Sequence, residues 1–305
     1  ALMNGIILID KPQGWTSHDV VAKLRGILHE RRIGHSGTLD PLATGLLVVF
    51  VGRATRAVEF AEADSKEYIA GLRLGLSTDT QDISGNVIAE CSDLPDEGAV
   101  RRAVNSFIGD IEQIPPMYSA VSVGGKRLYE LARKGIEVER EARSVTVNRL
   151  EIIQFSEKTG EGIIETDCSG GTYIRTLIHD IGQQLGCGAV MTSLVRTFSN
   201  GFSLDECVTL EQLEQLRDRG ELQNAVISVE RLFETLPEIR LNEMKTKMYR
   251  NGVKLHLDKL KGFDGKEQYR IYSDKNEFLG IAVSDIPNNE LRVFKNLSGD
   301  GDSQK

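Results

Sequence analysis

Gly34-His35-Ser36-Gly37-Thr38-Leu39-Asp40-Pro41-Leu42-Ala43-Thr44-Gly45 puts three glycines, one histidine, three hydroxyls and a single carboxylate into twelve residues. It separates two clear patterns. Upstream, Val20, Val21, Leu24, Ile27 and Leu28 fall on one face of a helix predicted over 17–30, which Thr16 or Ser17 can cap. Downstream, the run LLVVFV at 46–51 predicts a buried strand. Pro41 pushes Asp40 away from the α region toward extended geometry, and the glycines let another backbone come close. The carboxylate is therefore expected on a loop at the mouth of a sheet. Spacing alone leaves two readings open, a site residue or the cap of an ordinary Gly-rich turn.

Working outward, a strand is expected at 5–10, a turn at Lys11-Pro12-Gln13-Gly14, a helix at 54–63 and strands at 68–75 and 86–90 around a polar loop closed by Ser84-Gly85. A helix at 96–107 is broken at 111–116, and a strand at 118–123 turns at Gly124-Gly125 into a basic helix, 127–134. Strands 145–155 and 162–168 pair. Ser169-Gly170-Gly171-Thr172-Tyr173-Ile174-Arg175 is a second Gly-rich element, opening a helix at 176–185. A strand at 190–198 and acidic amphipathic helices at 210–217 and 229–235 complete this part. Leu236-Pro237 marks a boundary. Beyond it a helix at 242–251, hairpin strands at 268–273 and 277–283 and a last strand at 291–295 are expected, with 298–305 frayed. Strands and helices do not alternate as βαβ units, so the class is α+β, with domains at 1–237 and 238–297.

Composition narrows function more by exclusion. The 305 residues suffice for a large domain plus a small one. No run of about 18 apolar residues exists, so no membrane helix is expected. The first residues have neither a basic leader nor a small-residue cleavage site, so no signal peptide is expected and a cytoplasmic location is. Cys91, Cys168, Cys187 and Cys207 form no C-x-x-C pair, and the five histidines show no i, i+4 pairing; free thiols and no metal are expected. The net charge of −8 argues against nucleic acid, but its distribution does not. Residues 1–56 carry seven basic against four acidic side chains, as do residues 124–149, whereas 202–238 carry nine acidic against three basic.

No Gly-x-Ser-x-Gly elbow and no phosphate-binding Gly-Lys-Ser/Thr occurs. What remains is Asp40, with Arg175 as a candidate cationic partner. A buried carboxylate beside a guanidinium stays ionised and oriented, fit to act as nucleophile or general base. Chemistry on a nucleobase also needs an aromatic platform, for which Tyr68 and Tyr173 are candidates.

At this point the sequence resembles a known family. Lys11-Pro12-x-Gly14 with Thr16-Ser17-His18, the whole Gly34–Gly45 stretch, Arg73-Leu74-Gly75 with Thr78-Asp79-Thr80, Pro116-Met117-Tyr118-Ser119-Ala120, Gly125-Lys126-Arg127-Leu128-Tyr129 and Gly171-Thr172-Tyr173-Ile174-Arg175 are similar, in the same order, to the TruB family of pseudouridine synthases. The likeness spans about residues 4–200. It implies the pseudouridine synthase fold, a large mixed and mainly antiparallel sheet flanked by helices and loops, with residues 238–297 as a small β-rich, PUA-like RNA-binding domain. It implies isomerisation of the T-loop uridine of tRNA at position 55, without a cofactor. Asp40 would attack C1′ of the ribose or C6 of the base. Arg175 would pair with Asp40. Tyr68 would stack on the flipped uracil and take the C5 proton. Tyr173 and Leu194 would line the pocket, and His35 would hold the RNA open. Residues 124–147, with Lys126 and Arg127, would form a thumb that closes on the stem-loop. Lys11 stays open between a turn contact and a phosphate contact. Gly170 departs from many relatives, which have a basic residue there. The partner would be the tRNA T-arm and the protein a monomer. The rival reading is a non-catalytic protein on the same fold that binds and refolds tRNA.

Overall fold

Gly5–Lys11 (β1) and Thr44–Val51 (β3) are apolar on both faces because both faces are covered. On one side Ile7, Ile9, Leu47 and Val49 meet Val20, Leu24 and Ile27 of α1 (Ser17–Leu28) and Leu213 of α6 (Leu210–Asp218). On the other, Ile6, Leu8, Val48 and Phe50 meet Ala54, Ala57, Phe202 and Phe233. The computed structural model describes residues 3–62, 65–119 and 121–298.

Ile33–Ser36 (β2) folds back antiparallel on β3, so the Gly37–Ala43 segment is the tip of a hairpin. The remaining strands of this sheet are Lys66–Leu74 (β4), Gly109–Gln113 (β5), Arg143–Ser156 (β6), Glu161–Cys168 (β7), Ala189–Ser199 (β8) and Phe202–Ser203 (β9). Among the described residues the nine strands run β1-β3-β8-β4-β7-β6-β5, with β2 on β3 and β9 on β8. Only β3 and β8 pair parallel, through Val195–Thr44 and Arg196–Gly45; the other pairs are antiparallel. The expected α+β class, with a large mixed and mainly antiparallel sheet, is what forms. That parallel junction is where the hairpin tip meets the middle of the sheet. Helices α3 (Glu97–Asn105) and α5 (Ile174–Leu185) cover one face of the β4–β6 half, packing Val100, Val104, Leu177 and Ile181 on Ala70, Leu72, Leu150 and Ile164.

Several expected elements change. The helix expected at 54–63 begins as a 3₁₀ turn, Gly52–Ala57, and continues as α2 (Val58–Glu62), with residue 63 outside the described residues. The expected break at 111–116 overlaps the end of β5, an edge strand with too few apolar residues to stand out. Of the strand expected at 118–123, Ala120 lies outside the described residues and only Ser122–Val123 pairs, with Lys126–Arg127. Gly124 and Gly125, at φ 59° and 79°, make that reversal a two-residue turn. The basic helix shrinks to α4 (Leu128–Ala132), and the segment expected as a helix at 229–235 is a 3₁₀ stretch, Val229–Phe233.

Past Pro237 a five-stranded sheet is built from Glu238–Arg240 (β10), Leu255–His256 (β11), Gln268–Tyr272 (β12), Phe278–Asp285 (β13) and Glu290–Asn296 (β14), with α7 (Glu243–Arg250) against it. It has a core of its own around Ile239, Tyr249, Tyr269, Ile271 and Leu279. It is also fastened to the first part. Ile281 and Leu297 belong to the core containing Phe50 and Phe233, Phe278 stacks on Phe233 at 6.0 Å, and Lys295 pairs with Glu59. Of residues 298–305, expected to fray, Ser298 is instead buried and donates to Asn296 Oδ1, and 299–305 lie outside the described residues. No helix among the described residues is long and apolar enough to cross a membrane.

Candidate active site

The hairpin tip is held from three sides. Ser17, fully buried in the first turn of α1, accepts a hydrogen bond from Leu39 N at 2.9 Å and donates to Leu39 O at 3.2 Å. Thr16 takes the capping role, receiving Asp19 N, which leaves Ser17 free for this. Gly14 N donates to Pro41 O and Ala43 N to Asp40 O, while Leu39 and Ala43 are buried in the core. Asp40 is thus not a helix cap. It sits on a pinned loop, its side chain 38% exposed toward a cleft of about 620 Å³.

Arg175 comes from the first turn of α5 and is almost wholly buried. Its Nε meets Asp40 Oδ2 at 2.9 Å, and its two terminal nitrogens donate to Thr80 O at 3.1 Å and Tyr118 O at 2.9 Å. Asp82 Oδ2 stands 3.9 Å from the same guanidinium, and the Asp82 carboxylate is itself held by Ser84 N, Ser84 Oγ and Thr80 Oγ1. Burial pushes the Asp40 carboxyl above its ordinary value. Arg175 pulls it down, and Asp82 adds to the upward push.

Tyr68 on β4 and Leu194 on β8 line the same cleft, both buried. Burial raises the Tyr68 phenol. Tyr173 lines it from the N-terminal end of α5, and its backbone is clamped on both sides by Gln113: Tyr173 N donates to Oε1 at 3.0 Å and Nε2 donates to Tyr173 O at 3.1 Å. His35 is at the rim, edge-on to His18, with its pKa pushed down to about 4 mainly by burial, so the imidazole is neutral at pH 7. Gly170 also lines the cleft.

Lys11 is corrected. It is fully buried, and its Nζ donates to Pro12 O and Trp15 O, so it closes the turn and offers no surface to a phosphate. Burial lowers its pKa to about 8. Lys126 and Arg127 are exposed on the insertion and are not part of the cleft wall.

The sequence assigns no site role to Ser17, Asp82, Gln113, Ser119 or Arg196. Ser17 is read there only as a candidate helix cap, Ser119, which lines the cleft, lies in one of the matched motifs, and Asp82 lies in the polar loop closed by Ser84-Gly85. Gln113 had no signal, because its partner is 60 residues away. Among the described residues no group of three or more His, Cys, Asp or Glu is placed to hold a metal ion. A carboxylate paired with a guanidinium, open to a cleft with a buried tyrosine and a leucine in its walls, can attack an electrophilic carbon of a planar ring or its sugar.

Residues 25–174 match the family model for the N-terminal domain of TruB family pseudouridylate synthases, and residues 175–234 match the model for the tRNA pseudouridylate synthase B C-terminal domain. The second match ends before β10, so it covers α5, β8 and the acidic helices rather than the small sheet. A protein from Bacillus pumilus named tRNA pseudouridine synthase B is 38% identical over 99% of this chain and 100% of its own length. One of the same name from Heliobacterium mobile is 49% identical over 82% of this chain and 81% of its own. Among solved structures, a chain of a Cbf5–Nop10–Gar1 complex aligns with a TM-score of 0.70 at 29% identity, covering 92% of this chain and 78% of that one. A chain of an H/ACA RNP bound to a substrate RNA containing 2′-deoxyuridine aligns at 0.73 and 25%, covering 97% and 85%. The chain belongs to the TruB family of pseudouridylate synthases, enzymes that isomerise uridine to pseudouridine.

Proposed function

We propose that this protein converts the T-loop uridine of tRNA, position 55 in tRNA numbering, to pseudouridine, with Asp40 as nucleophile. The observation that carries this reading is the Asp40–Arg175 pair at 2.9 Å, held on a pinned loop at the floor of an open cleft. The target nucleotide leaves its stack and enters the cleft, because the reacting carbons are out of reach in a folded loop. Tyr68 supports the flipped ring, Leu194 and Tyr173 fill the space around it, and neutral His35 takes the place the base vacated.

The Asp40 carboxylate attacks C1′ or C6, the glycosidic bond breaks, and the uracil turns so that C5 bonds to C1′ while the bond to Asp40 breaks and its carboxylate is restored. The C5 proton then passes to Tyr68 as the phenol gives its own proton to water, and N1 takes up a proton from water. Substrate and product have the same atoms, so no redox partner or group donor is required. Arg175 stabilises the charged form of Asp40 that attack needs. Because burial holds that carboxyl above its ordinary value, activity falls with acid at a pH higher than a solvent-exposed aspartate would give.

The insertion at 124–147, with exposed Lys126 and Arg127, grips the stem-loop, and the five-stranded sheet acts as a PUA-like RNA-binding unit. RNA is recognised through shape and backbone. The protein works as a monomer in the cytoplasm, where its tRNA substrate is. The test is tritium release from a T-arm hairpin labelled at C5 of the target uridine, incubated with the full-length protein. Release from that position, and none when a different uridine of the loop carries the label, is expected. Absence of release from both the hairpin and a full tRNA transcript would sink the reading.

A further inference from the structure

Arg196 is among the largest fully buried side chains of the protein, yet no carboxylate among the described residues lies within ion-pair distance of it. Buried cations are normally paired, so an unpaired one needs other acceptors. Its Nε donates to Leu46 O and one terminal nitrogen donates to Gly37 O, both at 2.8 Å. Those two carbonyls flank the Asp40 loop, Gly37 opening it and Leu46 lying on β3 just past it. The fold makes room for this contact. At Gly37 a Cβ would come 2.9 Å from an Arg196 nitrogen, and at Gly45 a Cβ would come 2.4 Å from the Arg196 carbonyl oxygen. Both glycines also have positive φ, 65° and 97°. Across the sheet, Arg196 is the register partner of Tyr68 on β4 and of Gly45 on β3. It borders the cleft between them and pulls down the Tyr68 phenol that burial raises.

We propose that Arg196 is a positioning residue for the isomerisation: it ties both flanks of the nucleophile loop to the strand beside Tyr68 and so fixes Asp40 and Tyr68 relative to each other. The inference rests on the functional reading above. Arg196 does not touch the substrate. It acts through the carbonyls of Gly37 and Leu46 and through the tyrosine. Two reacting groups on different strands need such a tie, since a displacement of about 1 Å is worth about 100-fold in rate. Nothing in the local sequence supplies it, because the loop and Arg196 are about 150 residues apart.

The test compares Arg196→Ala and Arg196→Lys with the wild-type protein on the labelled T-arm hairpin, measuring kcat, KM and melting temperature, with and without methylguanidinium at a non-denaturing concentration. Arg196→Ala is expected to lower kcat by about 100-fold with KM within about 3-fold, and methylguanidinium to restore about tenfold of the loss. Arg196→Lys, which keeps the charge but cannot span both carbonyls, is expected to fall between, and it carries the test if the alanine variant does not fold. A folded variant with kcat unchanged, or a loss that tracks melting temperature and does not respond to methylguanidinium, overturns the proposal. Wild-type protein without activity would instead overturn the functional reading on which it rests.

Discussion

The loop around Asp40 and residues 124–142, the part of the 124–147 insertion that precedes β6, are both polar connections, and the protein holds them in opposite ways. Residues 37–43 are fixed by Ser17, Gly14 and Arg196, with Leu39 and Ala43 sunk in the core. Within 124–142, by contrast, only Leu128 and Leu131 are buried. Leu128 N and Tyr129 N donate to Val121 O and Ser119 O, and most of the rest faces solvent. On the proposed function, the difference follows from the two tasks. A nucleophile gains rate from one fixed position, whereas a surface that closes on RNA has to conform to its partner. Perturbing the first should change turnover, and perturbing the second should change binding.

The largest effect should come from Arg175→Met. It leaves Asp40 without its cation and the Thr80 and Tyr118 carbonyls without their donor, so kcat should fall at least about 100-fold with tRNA affinity nearly unchanged. With the downward pull on Asp40 gone, its pKa rises further, so the acid limb of any remaining activity moves to higher pH. A limb that stays put would show that Arg175 does not set the charge of Asp40. Next is Ser17→Ala, which strands Leu39 N in the core. Chemical denaturation should show a loss of about 1–3 kcal/mol, accompanied by lower kcat. Unaltered kcat in that variant would mean that the loop needs no anchoring by α1.

A smaller effect is expected from Lys126→Glu with Arg127→Glu. Affinity for tRNA should drop several-fold at moderate salt, and the salt dependence should become shallower by about two phosphate contacts, with kcat at saturation retained. A fall in kcat as large as that of Ser17→Ala would erase the contrast between the two regions. The smallest is Asp180→Asn on α5, outside both. Burial raises the Asp180 pKa to about 6 against an ordinary 3.8, so the folded state binds this proton more tightly than the unfolded chain. Stability from this group is present at low pH and is lost as pH rises through about 6. The asparagine variant should therefore melt slightly higher than wild type at pH 7.5 and no higher at pH 4.

Much of this was legible in the chain. The helix expected at 17–30 follows from apolar periodicity, the strand at 46–51 from a continuous apolar run and the hairpin of 268–273 and 277–283 from its turn, and Asp40 stood out as a lone carboxylate before a proline. Pairing Asp40 with Arg175 could be suspected because each sits in a Gly-rich element. The misses share a cause. Gln113, Arg196 and Ser17 act through backbone atoms of residues 22 to 159 positions away, and such contacts leave no local pattern. Lys11 looked like a cation for RNA because composition does not tell a solvated ammonium from one folded onto Pro12 O and Trp15 O. Nothing near Leu236-Pro237, read as a boundary, signals that Phe278, Ile281 and Leu297 bury themselves against the first part.

The central claim is that the Asp40 carboxylate makes the bond to the substrate, and Asp40→Asn tests it most directly. The variant keeps the shape of the loop and removes the charge. With a C5-tritiated T-arm hairpin at saturating concentration, the account predicts no tritium release above the background without protein, while the variant still binds the hairpin within a few-fold of wild type. Release at the wild-type rate from a preparation verified by mass to carry asparagine at position 40 would contradict it.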